Sequence, residues 1–261
     1  MFRVLHRNPG AQVLQAGLGQ FASVFYLSPL SMGESGAAAP ARGGVPVLFP
    51  QFADSGPLPK HGLVRTATWR LLADEMLPGL HRVHYELDMA PTDFASWPHA
   101  VRLGLRVASR PDELTLTLQV RNTGGDTFHW TGGLHPYFAL QDVLSSSATG
   151  LAGLAVQDRY NADLRCQLPG DLTWTTQPFE RLYDACPPVT LNTGSHCLSL
   201  SASGFDQWMV WNPGEAGAQV LADLPDADWQ RFVCIEPVCV TCPVVLAPGE
   251  SFEGQLRIAL S

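Results

Sequence analysis

The 261-residue chain is poor in charge: Asp, Glu, Lys and Arg make up only 15% of it, and Lys60 is its single lysine. With 24 acidic against 16 basic residues, the formal net charge is −8. Nucleic acid and anionic membrane surfaces both require a basic face, so neither is expected as a partner. A small anion is not excluded, because salt screens distant charge beyond roughly 10 Å and leaves a local cation cluster to act. No apolar run approaches the roughly 20 residues of a spanning helix. Met1 to Gly19 breaks its apolar residues with Arg3, His6, Arg7, Asn8 and Gln12, so no signal-peptide core is expected there. An Asn-x-Ser/Thr acceptor is also missing. A cytoplasmic protein is the expectation.

Other absences narrow the chemistry. The six cysteines, Cys166, Cys186, Cys197, Cys234, Cys239 and Cys242, are irregularly spaced and suggest no disulfide framework. Cys239-Val240-Thr241-Cys242 has the spacing of half a zinc site, but no second pair completes it, and the cysteines read as small buried apolar residues. No metal is expected. Gly17-Leu18-Gly19-Gln20-Phe21-Ala22 imitates a dinucleotide fingerprint, yet Ala22 to Leu27 continues as a strand where that fingerprint needs a helix. Neither a Walker A loop nor a Gly-x-Ser-x-Gly elbow is present. Long helical patterns are missing too; Pro91 to Trp97 and Gln141 to Ser146 could each form a turn or two.

What remains is period-two alternation. Leu114, Leu116, Leu118 and Val120 alternate with Thr115, Thr117 and Gln119, and Val101, Leu103, Leu105 and Val107 do so with Arg102, Gly104 and Arg106. Similar patterns occupy Val83 to Met89, Leu198 to Ser201, Gln207 to Trp211 and Leu256 to Leu260, separated by turn sequences such as Asn122-Thr123-Gly124-Gly125 and Asn212-Pro213-Gly214. The expectation is an all-β protein, an antiparallel sandwich or barrel forming one domain over residues 1–261. The Gly/Ala-rich piece from Gly33 to Gly44 reads as a flexible loop within it.

Three segments could carry chemistry. Arg42-Gly43-Gly44-Val45-Pro46 through Lys60-His61-Gly62-Leu63-Val64-Arg65 concentrates cations among glycines and prolines, where backbone at Gly43, Gly44 and Gly62 could approach an anion. His135 lies among glycines and aromatics in Thr131 to Phe138, and Glu236 ends the apolar run Phe232 to Ile235 before Pro237. Each has a plainer reading: surface arginines beside a turn, a hydrogen-bonded core histidine, a glutamate held by backbone amides. Together they supply an acid/base pair and a cation cluster, which suits proton transfer on a phosphorylated small molecule. Trp208, Trp211 and Phe205 could form an aromatic stacking wall, although strand spacing favours core packing.

The runs Arg42 to Phe52, His61 to Arg65, Leu134-His135-Pro136-Tyr137-Phe138, Phe205 to Pro213 and Val233-Cys234-Ile235-Glu236-Pro237 occur in the order that resembles the hexose-6-phosphate mutarotases, or glucose-6-phosphate 1-epimerases. The resemblance implies a galactose-mutarotase-like β-supersandwich with few short helices, no cofactor, and a small-molecule sugar phosphate as partner of a monomer or weak homodimer. It implies Glu236 as general base and His135 as general acid. Arg42 and Arg65 would bind substrate and phosphate, with His61 beside them. The sequence departs from the family at Lys60, where glutamine is common, at Glu180 of Glu180-Arg181-Leu182-Tyr183, where aspartate contacts sugar hydroxyls, and at Pro136, which replaces threonine. A mutarotase for unphosphorylated aldoses, or a sugar-phosphate-binding protein without turnover, are the alternatives.

Overall fold

The computed structural model describes residues 2–32 and 40–261. Most of the loop expected from Gly33 to Gly44 therefore lies outside the described residues.

Alternation becomes sheet wherever one face can be buried. A nine-stranded antiparallel sheet runs in the spatial order Leu172–Thr173, Ser147–Thr149, Val189–Asn192, Cys197–Ser203, Ser251–Leu260, Glu113–Asn122, Val101–Ser109, Leu80–Met89, Arg70–Leu77. Each expected alternating segment falls inside one of its strands or, for Gln207 to Trp211, inside the second sheet. That sheet orders Val156–Asp158, Phe179–Tyr183, Gln207–Asn212, Phe232–Leu246, Phe128–Leu134 and Val47–Leu48, and Tyr137–Ala139 also pairs with the start of the long strand Phe232–Leu246. A small hairpin, Val4–Arg7 with Gln12–Ala16, completes the ladders among the described residues.

Leu103, Leu105, Leu116 and Leu118 of the larger sheet share one apolar cluster with Trp130, Trp208 and Ile235 of the smaller. Packing of two inner faces in this way is sandwich architecture. Burying side chains of this size is worth roughly 1.5–3 kcal/mol each.

Some local expectations differ from the structure. Arg70–Leu77 is a strand without an alternating pattern, because as an edge strand it is exposed along nearly its whole length. Ala22 to Leu27 does not become a helix, but it forms only isolated bridges, Phe25 to Phe138 and Leu27 to Gly43. Pro91 to Trp97 makes turns without a helix, whereas Gln141 to Ser146 contains the short 3-10 helix Val143–Ser145. The short helices Gly214–Ala218 and Asp226–Arg231 had no visible sequence period. Among the described residues, no helix is long and apolar enough to cross a membrane.

Candidate active site

The smaller sheet turns one face to the core and the other to a cavity, and its register assembles the cavity floor. Directly opposed residues of antiparallel strands point to the same face. Glu180 opposes Trp211, Trp211 opposes Cys234, and Cys234 opposes Tyr137, which makes a single row across four strands. In the next row Leu182 opposes Met209 and Met209 opposes Glu236. His135 follows the end of Phe128–Leu134, in the gap between the Val238–Gly133 and Cys234–Tyr137 pairs, so the same register brings it to Glu236. Its backbone N–H donates to Pro46 O at 3.0 Å, which ties the histidine to the cation-bearing segment.

Glycine permits this close stacking. A Cβ on Gly133 would stand 2.2 Å from Pro237 O, beside Glu236. One on Gly62 would stand 2.1 Å from Phe49 O, at a φ of +79°. Gly43 and Gly44 likewise abut the backbone of Tyr26 and Val13. At these positions glycine is required by the close approach of neighbouring protein backbone.

All seven expected residues, Arg42, Lys60, His61, Arg65, His135, Glu180 and Glu236, line one cavity of about 320 Å³. They are not equivalent. Glu236 is 2% exposed and His135 is buried beside it. His135 Nδ1 approaches Glu236 Oε1 to 3.3 Å without hydrogen-bond alignment, and Glu236 Oε2 has no partner. The imidazole stacks on the Tyr137 ring, with centroids 4.7 Å apart. Burial first, then Glu180, pushes the Glu236 carboxyl well above its usual range. Burial first, then His61, Arg65 and Arg42, pushes His135 well below the usual imidazole value. These shifts favour an uncharged pair, carboxylic acid beside neutral imidazole.

His61 adopts the left-handed backbone at a φ of 65°, which is uncommon for a residue with a side chain. It is held by its N–H donating to Ala53 O at 2.9 Å and by its Nδ1 accepting from Ala53 N–H at 3.3 Å. An accepting Nδ1 is unprotonated, and burial with Arg65, Lys60 and Arg42 nearby lowers the pKa of His61 to about 3. It enters the site as a neutral ring.

The cations divide sharply. Arg42 donates from Nε and Nη2 to Asp223 Oδ1 at 3.1 and 2.9 Å, and from Nη1 to the Tyr137 hydroxyl at 3.2 Å. Arg65 donates to Lys60 O at 3.0 Å and has no carboxylate at ion-pair distance among the described residues. Lys60 stands at the rim, 59% exposed in its side chain, 3.7 Å from Asp54. Glu180 receives both carboxylate contacts from Arg159, at 3.2 and 3.1 Å.

Sequence reading missed Arg159, Tyr137, Met209 and Leu221 as lining residues, and Asp223 as the partner of Arg42. The two tryptophans part company. Trp208 is fully buried, its indole N–H donating to Pro187 O at 2.8 Å, whereas Trp211 lines the cavity and meets the His135 ring edge-on at 6.1 Å. Only their places on opposite faces of the strand separate them.

The family model described as aldose 1-epimerase matches residues 35–259. The chain belongs to the aldose 1-epimerase family. It is thus an isomerase, with the fold of the galactose mutarotase-like proteins. A Cenchrus ciliaris protein named "putative glucose-6-phosphate 1-epimerase" is 32% identical to this epimerase over 231 residues, covering 84% of this chain and 70% of its own. A crystal structure of a "putative mutarotase (YeaD)" from Salmonella typhimurium superposes with a TM-score of 0.84 at 25% identity, over 97% of this chain and 85% of that one. A galactose mutarotase-like protein from Lactobacillus casei shares the fold at 15% identity, with a TM-score of 0.73 and coverage of 100% and 97%.

Proposed function

We propose that this epimerase interconverts the α and β anomers of an aldohexose 6-phosphate, with Glu236 and His135 as its proton-transfer pair. The observation that carries the reading is the buried Glu236–His135 contact in a cavity also lined by Arg65, a cation without a carboxylate at ion-pair distance among the described residues. When bound substrate brings the pair into line, one proton moving from the Glu236 carboxyl to His135 creates carboxylate and imidazolium. Burial makes that carboxylate a stronger base and that imidazolium a stronger acid than either is in water.

Glu236 then takes the proton of the anomeric hydroxyl while His135 protonates the ring oxygen. The C1–O5 bond breaks and C1 becomes an aldehyde. Rotation about C1–C2 presents its other face, and reclosure returns one proton to His135 from the hydroxyl and one from Glu236 to the new anomeric oxygen. The pair ends as it began, so protons balance over each turnover. Arg65 and Arg42 hold the phosphate, with Lys60 at its outer side and His61 as a neutral neighbour, and Glu180 accepts from sugar hydroxyls. The departure at Lys60 adds a cation to the cavity lining, and that at Glu180 keeps a carboxylate there. The names of the Cenchrus and Salmonella relatives support the same class of activity.

Exchange NMR on the anomers of glucose 6-phosphate and glucose, with wild type, Glu236→Gln and Arg65→Ala, tests the reading. Acceleration of the phosphate ester that needs Glu236, with glucose a poor substrate, is expected. No acceleration of either sugar above the buffer rate would refute it. Equal rates for both sugars, insensitive to Arg65→Ala, would assign unphosphorylated aldoses instead.

A further inference from the structure

Behind the proton-transfer pair lies a third side chain that anomerisation does not use. Cys234 precedes Glu236 by two positions on the same strand, so both point to the same face. Its thiol is fully buried, and the ligand atoms of His135, Cys234 and Glu236 all lie within 4.8 Å of one another. Two further observations concern the donors themselves. His135 Nδ1 and Glu236 Oε2 are both buried without a hydrogen-bond partner. His135 Nδ1 and Glu236 Oε1 stand 3.3 Å apart yet are not aligned to share a proton.

Nitrogen and oxygen ligands at roughly 2.0–2.1 Å from a tetrahedral ion stand about 3.3–3.4 Å from each other. The His135–Glu236 separation matches that of two ligands on one ion, and the Cys234 sulfur, within 4.8 Å of both, completes the set by closing in on the ion. A nitrogen, a thiolate sulfur and a carboxylate oxygen suit zinc and exclude the hard cations, which take oxygen. His135 and Glu236 face the cavity, which leaves the fourth position open to water. We infer that His135, Cys234 and Glu236 form a zinc site, and that zinc binding there shuts the enzyme off. On binding, the Cys234 thiol and the Glu236 carboxyl each release a proton to solvent, and the ion takes the thiolate, a carboxylate oxygen and the Nδ1 lone pair. Neither member of the pair can then exchange a proton with a sugar. The site is distinct from the Cys239-x-x-Cys242 pair, which the structure does not bring into any metal-capable group among the described residues.

The binding claim is independent of the proposed substrate; the inhibition rests on it. Zinc would be titrated into the protein against a chromophoric chelator, in a Cys166→Ser/Cys242→Ser background that removes the exposed thiols. One equivalent is expected. Cys234→Ser and Glu236→Gln should each weaken binding on the order of 100-fold or more, since loss of a direct ligand costs at least what loss of an outer partner does. Cobalt(II) should give a thiolate-to-metal charge-transfer band that Cys234→Ser abolishes. Zinc affinity unchanged in both variants, or cobalt bound without that band, overturns the site. Should Cys234→Ser fail to fold, Glu236→Gln and the wild-type cobalt spectrum still decide. Stoichiometric zinc should also abolish anomerisation, with a chelator restoring it. Zinc bound at one equivalent by a protein without anomerase activity would sink the functional reading and leave the site standing.

Discussion

Removing Arg65 should damage recognition of a sugar phosphate far more than recognition of the bare sugar. The reason lies in how the two arginines are compensated. Arg42 already has an ion pair with Asp223 at 2.9 Å and a bond to Tyr137, so its charge is largely met before substrate enters. Among the described residues Arg65 donates only to the Lys60 carbonyl, and it is half-buried, where a dianion can reach it with little competing water. Two opposite charges about 4 Å apart interact by about 4 kcal/mol at an effective dielectric of 20. Charge-assisted hydrogen bonds net about 1.5–3 kcal/mol after desolvation. Taking about 2–4 kcal/mol for the Arg65–phosphate contact, Arg65→Ala should lower kcat/KM for glucose 6-phosphate by about 30- to 1000-fold. The loss should appear mainly in KM, because the phosphate is held equally in ground and transition states. Exchange NMR at several substrate concentrations reads both parameters, and glucose under the same conditions should change less than about threefold. Arg42→Ala should instead cost stability, with a smaller phosphate-selective loss. The argument fails if Arg65→Ala slows both sugars alike, or if Arg42→Ala shows the larger phosphate-selective effect.

Glu236→Gln should fold and lose about 10²–10⁴ in turnover, as removal of a general base does; circular dichroism with NMR exchange checks both halves. In the wild type the active pair carries one proton in total. Activity should fall at high pH as that proton is lost through the raised Glu236 value, and at low pH as a second is taken up through the lowered His135 value, giving a broad plateau in kcat/KM. A narrow optimum would contradict the displaced values. His61 is held near 3 in the fold against an ordinary 6.5, so the unfolded chain binds more protons between them. Its contribution is fully present above 6.5 and is lost as pH falls toward about 3. Melting curves of His61→Gln should therefore be flatter than wild type across that window, and parallel curves would refute the assignment. Gly62→Ala places a Cβ 2.1 Å from Phe49 O at a positive φ, and should destabilise by at least about 1–3 kcal/mol in denaturant titration. A neutral outcome would show that this loop shifts freely.

Alternation at Leu114 to Val120 and Val101 to Val107 was enough to predict sheet, because a strand with one buried face must repeat every two residues. The exposed edge strand Arg70–Leu77 obeys no such requirement and could not be read. Five of the residues expected in the site belonged to short runs whose order resembles a family, Glu180 to a weaker variant of one, and Lys60 stood out only as a departure beside such a run. Their arrival in one cavity rests on register.

The sequence by itself determined the sheet class, since side-chain period is a local property of the backbone. It also determined which titratable groups sit in otherwise apolar or glycine-rich runs. Only the tertiary structure decided how those groups are charged and partnered. Asp223 meets Arg42 across 181 positions, Arg159 pairs with Glu180 from the bend after strand Val156–Asp158, and Trp211 faces the cavity while Trp208 faces the core. The same register that brings Glu236 to His135 sets Cys234 beside them. Burial and long-range neighbours control those states, and neither is encoded in the residues next along the chain.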